Sequence, residues 1–355
     1  MASFLPEEII YHIFSWLPVE SLMRFRCVFK FCNSLVFDPS FVDIHQRHSI
    51  SRPHKTKFLT SSGYGKNLYT IDQASFLRIA EINETRYPRF GYVKGLFCLW
   101  GSWVQPPVIY NPITRKVISL PSQNFLEKRT VHYCSLGFEP EKKKYKILMI
   151  THVRSAPSRY WVFTLGSAES WREIKSAPAS LSLIFINGGV CIDGISYFFG
   201  CYKGKACIAE YNVRTENFRI ISLWKDEYYI PTLNYYNLIE LEEKLTAIDH
   251  SRMEMGEMDF WILESSESSE EWVKNTIAFP QMYLEAEYVS CFCCSYTPNG
   301  EIVFIVNFGR GPKWILFYDW KKKSWRDIEI KEITGEIDII GVYGNVDGLL
   351  PFMYC

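Results

Sequence analysis

The chain has 355 residues, of which 48% are hydrophobic and 22% are charged, enough apolar content for one large core or two medium ones. Its 39 basic and 39 acidic side chains cancel, which excludes a global field that would draw nucleic acid or an anionic membrane to the protein. Aromatic residues reach 16%, a content that favours extended strands over helix bundles.

The cysteines and the N-terminus predict the compartment. The apolar run after Pro6 is interrupted by Glu7, Glu8 and His12 and lacks a basic start, so we expect no secretory signal. The 11 cysteines are odd in number and follow no regular framework, which fits a reducing environment. We expect a soluble protein of the cytoplasm, with the nucleus as a second location and no membrane partner.

A compact helical block is predicted at the N-terminus. Pro6 suits a first helical turn, and Glu7 and Glu8 favour the positive end of a helix. Apolar residues then recur at three- and four-residue spacing until Pro18 ends the pattern, namely Ile9, Ile10, Ile13, Phe14 and Leu17.

Two further helices are expected, one through Leu22, Phe25 and Val28 and a short one after Asp38-Pro39. Three helices in about forty residues cannot enclose a core of their own. Their remaining apolar face is therefore expected to dock on another surface.

Four runs of this block follow a known order: Leu5-Pro6, Leu17-Pro18-Val19-Glu20-Ser21-Leu22, Arg24-Phe25-Arg26-Cys27-Val28 and Asp38-Pro39-Ser40-Phe41. Together they resemble the F-box of plant F-box proteins. The resemblance implies binding to a Skp-type adaptor and, through it, to a cullin in a ubiquitin ligase. One departure is that Phe29-Lys30-Phe31-Cys32 stands where the family has Cys-Lys-Ser-Trp, so Cys32 replaces a large apolar anchor.

The expected adaptor-binding residues share an apolar or arginine side chain within these runs: Leu5, Pro6, Ile9, Ile13, Leu17, Pro18, Leu22, Arg26, Val28 and Leu35. Some are expected to contact the adaptor and others to pack inside the block. The alternative is an N-terminal helical cap on a β domain.

The remainder of the chain repeats one β-hairpin six times. Each copy has a strand ending in an aromatic-polar pair, a polar turn and a strand with a large apolar residue near its start. The copies lie at residues 68–82, 108–121, 161–174, 208–223, 259–277 and 315–330. A period near fifty residues with recurring hairpins is typical of a β-propeller.

Partner strands are predicted before these hairpins, and a strand-like tail at 337–352 remains after the last one. We expect the tail to supply the inner strands of the first unit, which would remove exposed sheet edges. The prediction is a mainly β chain with an α-helical block at residues 1–48 and a propeller-like domain of about six blades at 49–355, closed by N- and C-terminal strands. The rival is a strongly curved pair of sheets.

Motifs of the β region also follow a family order. Tyr110-Asn111-Pro112-Ile113-Thr114-Arg115 with Leu120-Pro121, and Leu136-Gly137-Phe138 with Tyr145-Lys146-Ile147, resemble the plant F-box-associated domain with kelch-like hairpins. Similar proteins include the S-locus pollen proteins, so the resemblance offers a style ribonuclease as one target.

Catalytic and metal-binding motifs are weak in this sequence. Cys291-Phe292-Cys293-Cys294 is the best metal candidate, but no second pair or nearby histidine completes four ligands, so buried structural cysteines are preferred. His45, His48 and His54 are interpreted as part of a solvated linker. No nucleophile elbow, zinc-protease motif or phosphate loop occurs. We predict neither a metal nor a cofactor.

The predicted function is therefore that of a non-catalytic, substrate-recruiting subunit of an SCF-type (Skp-cullin-F-box) ubiquitin ligase. Target contacts are expected on loops at one rim, with Trp103, Trp224, Tyr228 and Tyr229 as candidate anchors. Two alternatives stay open: a carbohydrate- or small-molecule-binding propeller with a helical cap, and an enzyme with a pocket built from distant loops.

Overall fold

The computed structural model describes most of the chain. The described ranges are 5–28, 30–50, 56–62, 67–71, 76–81, 89–101, 106–111, 116–122, 131–152, 157–167, 170–184, 189–224, 235–265, 269–280, 289–296, 300–308, 313–330 and 337–344.

The N-terminal block contains four helices in the described ranges, α1 (Glu7–Ser15), α2 (Val19–Phe25), α3 (Lys30–Leu35) and α4 (Pro39–Ile50). Pro6 and Pro18 precede α1 and α2 in extended conformation. Asp38 caps α4, because its Oδ1 accepts the backbone N–H of Ser40 at 2.8 Å. The helix expected after Asp38-Pro39 is thereby confirmed.

The prediction of three helices was wrong, since the second one divides into α2 and α3. On one continuous helix Leu22 and Leu35 would point about 140° apart. The turn between α2 and α3 reorients the chain, so that Leu22, Cys32 and Leu35 are all buried in one cluster.

The described strands form six antiparallel sheets, here called the first to sixth blades. The first contains β1 (Thr56–Ser62), β2 (Asn67–Ile71), β3 (Phe76–Glu81) and, from the far end of the chain, β25 (Ile337–Gly344). The second contains β4 (Arg89–Val93), β5 (Leu96–Trp100), β6 (Val108–Asn111) and β7 (Lys116–Ser119). The third contains β8 (Val131–Glu139), β9 (Lys144–His152), β10 (Arg159–Thr164) and β11 (Arg172–Glu173).

The other three blades repeat this order. The fourth contains β12 (Leu181–Ile184), β13 (Val190–Ile192), β14 (Ile195–Tyr202), β15 (Lys205–Asn212) and β16 (Phe218–Ser222). The fifth contains β17 (Tyr236–Leu241), β18 (Lys244–Asp249), β19 (Glu257–Ser265) and β20 (Glu270–Ala278), with a short 3-10 helix at Met253–Met255. The sixth contains β21 (Val289–Tyr296), β22 (Glu301–Phe308), β23 (Lys313–Asp319) and β24 (Ser324–Ile330).

The innermost strands close a ring. β25 contacts β4, and the contacts continue through β8, β13, β17 and β21 back to β25. β25 also pairs with β1, so the two ends of the β region share the first blade. This arrangement is a six-bladed β-propeller closed by an N- and a C-terminal strand, as predicted, and it excludes the rival curved pair of sheets.

The six predicted hairpins are confirmed as the outer two strands of the six blades. One detail was wrong, because the tail supplies only the innermost strand of the first blade, and β1 fits between α4 and the first hairpin. Residues 345–352 of the expected tail lie outside the described ranges.

Burial follows position in the blade. Every residue of β5 and residues 145–151 of β9 are buried, because middle strands pack between two neighbouring blades. The outer strands β7 and β20 are mostly exposed. The middle strands therefore read as continuous apolar runs in the sequence.

Three of the six large residues that follow the hairpin turns join consecutive blades. The indole N–H of Trp171 donates to Pro121 O at 2.9 Å, that of Trp272 to Ser222 O at 2.9 Å, and that of Trp325 to Ala278 O at 3.0 Å. Each acceptor lies at or just beyond the end of the preceding blade's outer strand. In these three copies the tryptophan after the turn thus makes a hydrogen bond between neighbouring blades.

Trp272→Phe and Trp325→Phe are each predicted to lower the unfolding free energy by about 1 kcal/mol, because each removes one hydrogen bond. The matched control is Trp261→Phe, since the indole N–H of Trp261 has no hydrogen-bond partner among the described residues. Thermal melts should show a larger decrease in Tm for the two test variants. An equal decrease in all three would contradict the role given to the indole N–H.

Several motif residues of the β region also lie between blades. A Cβ at Gly137 would come 2.7 Å from Val213 Cγ2 in the fourth blade, so only glycine fits without a shift. Tyr145 Oη donates to Lys94 O of the second blade at 2.6 Å. The Gly-Phe and Tyr-Lys motifs are therefore explained by blade packing.

A partly buried ion pair joins the third and fourth blades. Lys146 Nζ lies 2.8 Å from Glu216 Oε1, and Arg172 Nη2 lies 2.5 Å from Glu216 Oε2. Burial by itself would raise the pKa of Glu216, but the hydrogen bonds and charges of Lys146 and Arg172 outweigh burial and lower the pKa. Folding therefore favours the ionised carboxylate.

Glu216→Gln is predicted to cost about 3 kcal/mol of unfolding free energy at pH 7, because Lys146 would stay buried without its counter-charge. The pKa of Glu216 is lower in the folded chain than in the unfolded chain. Its contribution to the unfolding free energy is therefore complete above the pKa of the unfolded state, and it is lost as the pH falls through the pKa of the folded state. Chemical denaturation between pH 7 and pH 3 should show this decrease in unfolding free energy in the native chain and a smaller decrease in the variant.

The control is Glu173→Gln, which removes the exposed Arg159–Glu173 pair at 2.7 Å. That change should cost at most about 1 kcal/mol. Equal decreases in unfolding free energy at pH 7 for Glu216→Gln and Glu173→Gln would contradict the stabilising role assigned to Glu216.

Candidate functional site

Helix α1 has apolar side chains on two sides. Ile10, Phe14 and Leu17 point inward and belong to a cluster with the rest of the helical block. Ile9, Ile13 and the C-cap residue Trp16 fall within a sector of about 60° on the other side, and Leu5 stands just before the helix. These four side chains, here called the α1 stripe, are 56%, 46%, 45% and 49% exposed.

A second exposed group lies around the α2–α3 turn. Phe25, Val28 and Phe37 are exposed, and the guanidinium of Arg26 lies 5.0 Å from the centre of the Phe37 ring. With the α1 stripe, this group accounts for seven of the eleven exposed large apolar side chains in the described residues. Such a concentration marks an interaction surface.

The ten residues expected to bind the adaptor differ in their exposure to solvent. Leu5, Pro6, Ile9, Ile13, Pro18 and Val28 are exposed, whereas Leu17 and Arg26 are half-buried. Leu22 and Leu35 are 1% and 4% exposed, so they support the surface from inside the block. Leu22 and Leu35 are therefore two of the residues expected to pack inside the block.

Cys32, at the position of the family's tryptophan, is also buried. The small side chain therefore changes the packing inside the block, and burial raises the pKa of its thiol. Sequence reasoning missed Trp16, Phe25 and Phe37. For Trp16 a signal existed, since it lies three residues after Ile13 on the same helical side.

The interpretation of His45 and His48 as solvated linker was wrong. His45 is buried, and its Nε2 donates to Leu17 O at 2.8 Å. The His48 ring stacks on Trp16 with centroids 3.8 Å apart. His54 lies outside the described residues.

The inner side of the helical block docks on the propeller. Phe41 and Val42 of α4 belong to the same buried cluster as Val93 and Phe138 of the second and third blades. Lys143 Nζ, in the β8–β9 turn, lies 2.5 Å from Asp43 Oδ1. The helices therefore occupy the propeller face formed by the turns that follow the inner strands.

A cavity of about 620 Å³ lies between α4 and these turns. Its charged lining residues are Asp43, Lys94, Lys143, Asp193, Glu240 and Glu243, and no tryptophan is among the described residues that line it. Burial raises the pKa of Glu240, Lys94 opposes the rise, and Glu243 and Asp193 add to it.

Cys191 is the thiol in this lining. Burial raises its pKa, which disfavours the thiolate that a nucleophile needs. Burial thus disfavours Cys191 as the nucleophile of an enzyme site in this cavity.

Strands β5, β9 and β18 end at the opposite end of their blades, because neighbouring strands are antiparallel. We call this end the distal rim. Strands β5 and β9 have five and nine residues, which places the rim roughly 15–30 Å from the turns beneath the helices.

The four candidate target-binding residues have different outcomes. Trp103, Tyr228 and Tyr229 lie outside the described residues. Trp224, at the distal end of β16, is half-buried and packs against Trp261, with ring centroids 5.4 Å apart and nearly parallel planes.

Tyr235 and Met255, also at the distal rim, are 50% and 80% exposed. Sequence reasoning did not single out either residue as an anchor, because a lone exposed aromatic or methionine has no periodic signal. Tyr235 and Met255 could be assigned to the distal rim only once the strand directions were known.

Within the described ranges, no group of three or more metal-ligating side chains is assembled. The side chains of Cys291, Cys293 and Cys294 lie outside the description, although their backbone forms part of β21. None of the described helices combines the length and the apolar content needed to cross a bilayer.

Comparisons with known proteins agree with this architecture. Residues 3–43 match the F-box domain, and residues 41–346 match the F-box associated beta propeller domain. F-box protein At1g47340 of Arabidopsis thaliana is 28% identical, the match covering 92% of this chain and 75% of the relative. F-box protein At3g57590 of the same plant is 27% identical, with 96% and 88% covered.

A nidogen/laminin complex is among the similar solved structures, with a TM-score of 0.49, 8% identity and coverage of 81% of this chain and 97% of that one. This likeness is too weak to bear on function. The two family matches together span nearly the full chain. The chain therefore belongs to the F-box proteins that carry an F-box-associated β-propeller domain.

Proposed function

We propose that this chain is the substrate-recognition subunit of an SCF-type ubiquitin ligase. The F-box family implies a Skp-type adaptor and, through it, a cullin, and its members are in general non-catalytic adaptors. In this proposal residues 1–48 bind the adaptor and residues 49–355 bind the target. The protein acts in the cytoplasm and also in the nucleus.

One observation carries the proposal: the α1 stripe is exposed while the opposite side of the same helix is buried by the chain itself. Water contact with four large apolar side chains on and beside one short helix is unfavourable. A partner that covers Leu5, Ile9, Ile13 and Trp16 removes this cost. Exposed Pro6, Pro18 and Val28 extend the contact, and half-buried Leu17 and Arg26 border it.

The target-binding role is assigned to the distal rim. A target held there lies roughly 15–30 Å from the adaptor side of the propeller, across rigid strands. Fixed separation makes ubiquitin transfer to a target lysine effectively intramolecular. Trp103, Trp224, Tyr228 and Tyr229 remain predicted contacts, and the exposed Tyr235 and Met255 join them.

The carbohydrate-binding alternative has less support. Such a site is expected to place exposed tryptophans over a pocket, whereas the described cavity has mixed charges and no tryptophan in its lining. A style ribonuclease is the target that S-locus membership would imply, and it stays a prediction.

The double variant Ile9→Ala, Ile13→Ala is predicted to weaken adaptor binding by at least about 30-fold, because two apolar anchors are truncated. Calorimetric titration of the full chain with a purified Skp-type adaptor measures the affinity. Both residues are exposed and alanine favours helix, so the melting temperature should change little.

The matched control is Val117→Ala, Val273→Ala. Both valines are 41% exposed, on the outer strands of the second and fifth blades. The control should bind the adaptor as the native chain does. Native affinity in the Ile9, Ile13 variant, or no binding by the native chain, would refute the proposed function.

Tyr235→Ala with Met255→Ala is predicted to reduce captured targets severalfold without changing adaptor capture. Affinity purification under proteasome inhibition, followed by mass spectrometry, lists adaptor and targets together. If the target set were unchanged in this variant, the distal rim around the fifth blade would be excluded as the recognition surface.

A further inference from the structure

We propose that Trp16 is a contact residue for the adaptor and that His48 is its positioning residue. The inference rests on the proposed function and extends the adaptor-binding surface past the F-box match, which ends at residue 43. His48 lies on the last turns of α4, five residues beyond that limit.

The Trp16 indole and the His48 imidazole form a stacked pair, here called the aromatic plate. Their centroids are 3.8 Å apart and their planes differ by 13°, so one face of the indole is covered by imidazole. Trp16 nevertheless remains 49% exposed. The indole therefore presents its other face and its edge outward, on the side of α1 that carries Leu5, Ile9 and Ile13.

The His48 ring is itself held in place. Its Nδ1 lies 3.1 Å from Ser15 Oγ and 3.3 Å from Ser15 O. The hydroxyl of Ser15 donates to His12 O at 2.7 Å, and a carbonyl oxygen only accepts. Nδ1 must therefore be the donor, which fixes both the tautomer and the orientation of the ring.

This support matters because an exposed tryptophan loses rotamer freedom when a partner binds it. Stacking on a fixed imidazole restricts the indole before binding. Large, preorganised aromatic side chains are the residues that contribute most at protein interfaces. The adaptor is the partner inferred for the plate, because Trp16 continues the α1 stripe without interruption.

Two substitutions of His48 separate stacking from hydrogen bonding. His48→Phe keeps a flat ring against Trp16 but loses the donor to Ser15. His48→Asn keeps a donor but loses the ring. We expect near-native adaptor affinity for the Phe variant and a loss of about threefold to tenfold for the Asn variant, measured by calorimetric titration of the full chain.

Trp16→Ala should weaken binding about tenfold or more. Because His48 acts through Trp16, the double variant Trp16→Ala, His48→Asn should bind no more weakly than Trp16→Ala alone. Val117→Ala, an exposed apolar residue on the outer strand of the second blade, serves as the control and should bind normally.

The outcomes distinguish this inference from the proposed function. Native binding that is abolished by Ile9→Ala, Ile13→Ala but unaffected by Trp16→Ala overturns the plate and leaves the function intact. Additive losses in the double variant overturn the positioning role of His48. The positioning role is also overturned if the His48→Phe variant melts at the native temperature yet binds the adaptor as poorly as His48→Asn.

Discussion

Helix α1 has more apolar surface than its own chain covers, and most of the functional account depends on that excess. Its inner side joins a core shared with the propeller, which fixes the helical block on one face of the ring. Its outer side, from Leu5 to Trp16, is left in water. A helix that only capped a β domain would need the first side and not the second. The exposed α1 stripe therefore favours a helical block that docks on a partner over one that only caps the β domain.

The propeller supplies a rigid ring. Its ring closes because β25 pairs with β1, and its blades are joined by indole-to-carbonyl hydrogen bonds and by the Lys146–Glu216 pair. Motif residues such as Gly137 and Tyr145 lie in the contacts between blades. Their recurrence in the family pattern is explained by packing, which leaves the distal loops free to differ between proteins that share the fold. A rigid ring between helices and distal rim is what a subunit that positions a bound protein requires.

The sequence predicted most of the propeller because its outer hairpins have local signals, an aromatic strand end, a polar turn and a large residue after it. Those signals do not depend on distant contacts, so the six copies and their order could be read directly. The break between α2 and α3 could not, since no glycine or proline marks it and only the shared burial of Leu22 and Leu35 requires it. The Trp16–His48 stack joins residues 32 positions apart, and the placement of the distal loops needs the direction of every strand. Tertiary contacts of this kind leave no periodic trace.

Hydrogen exchange of the full chain, with and without a purified Skp-type adaptor, tests the central claim most directly. The account predicts that the adaptor slows amide exchange in α1 and in the α2–α3 turn, and leaves exchange near Met253–Met255 at the distal rim unchanged. Protection confined to the propeller, or none in α1 at saturating adaptor, would contradict it, because the uncovered side of α1 would then have no partner in the ligase.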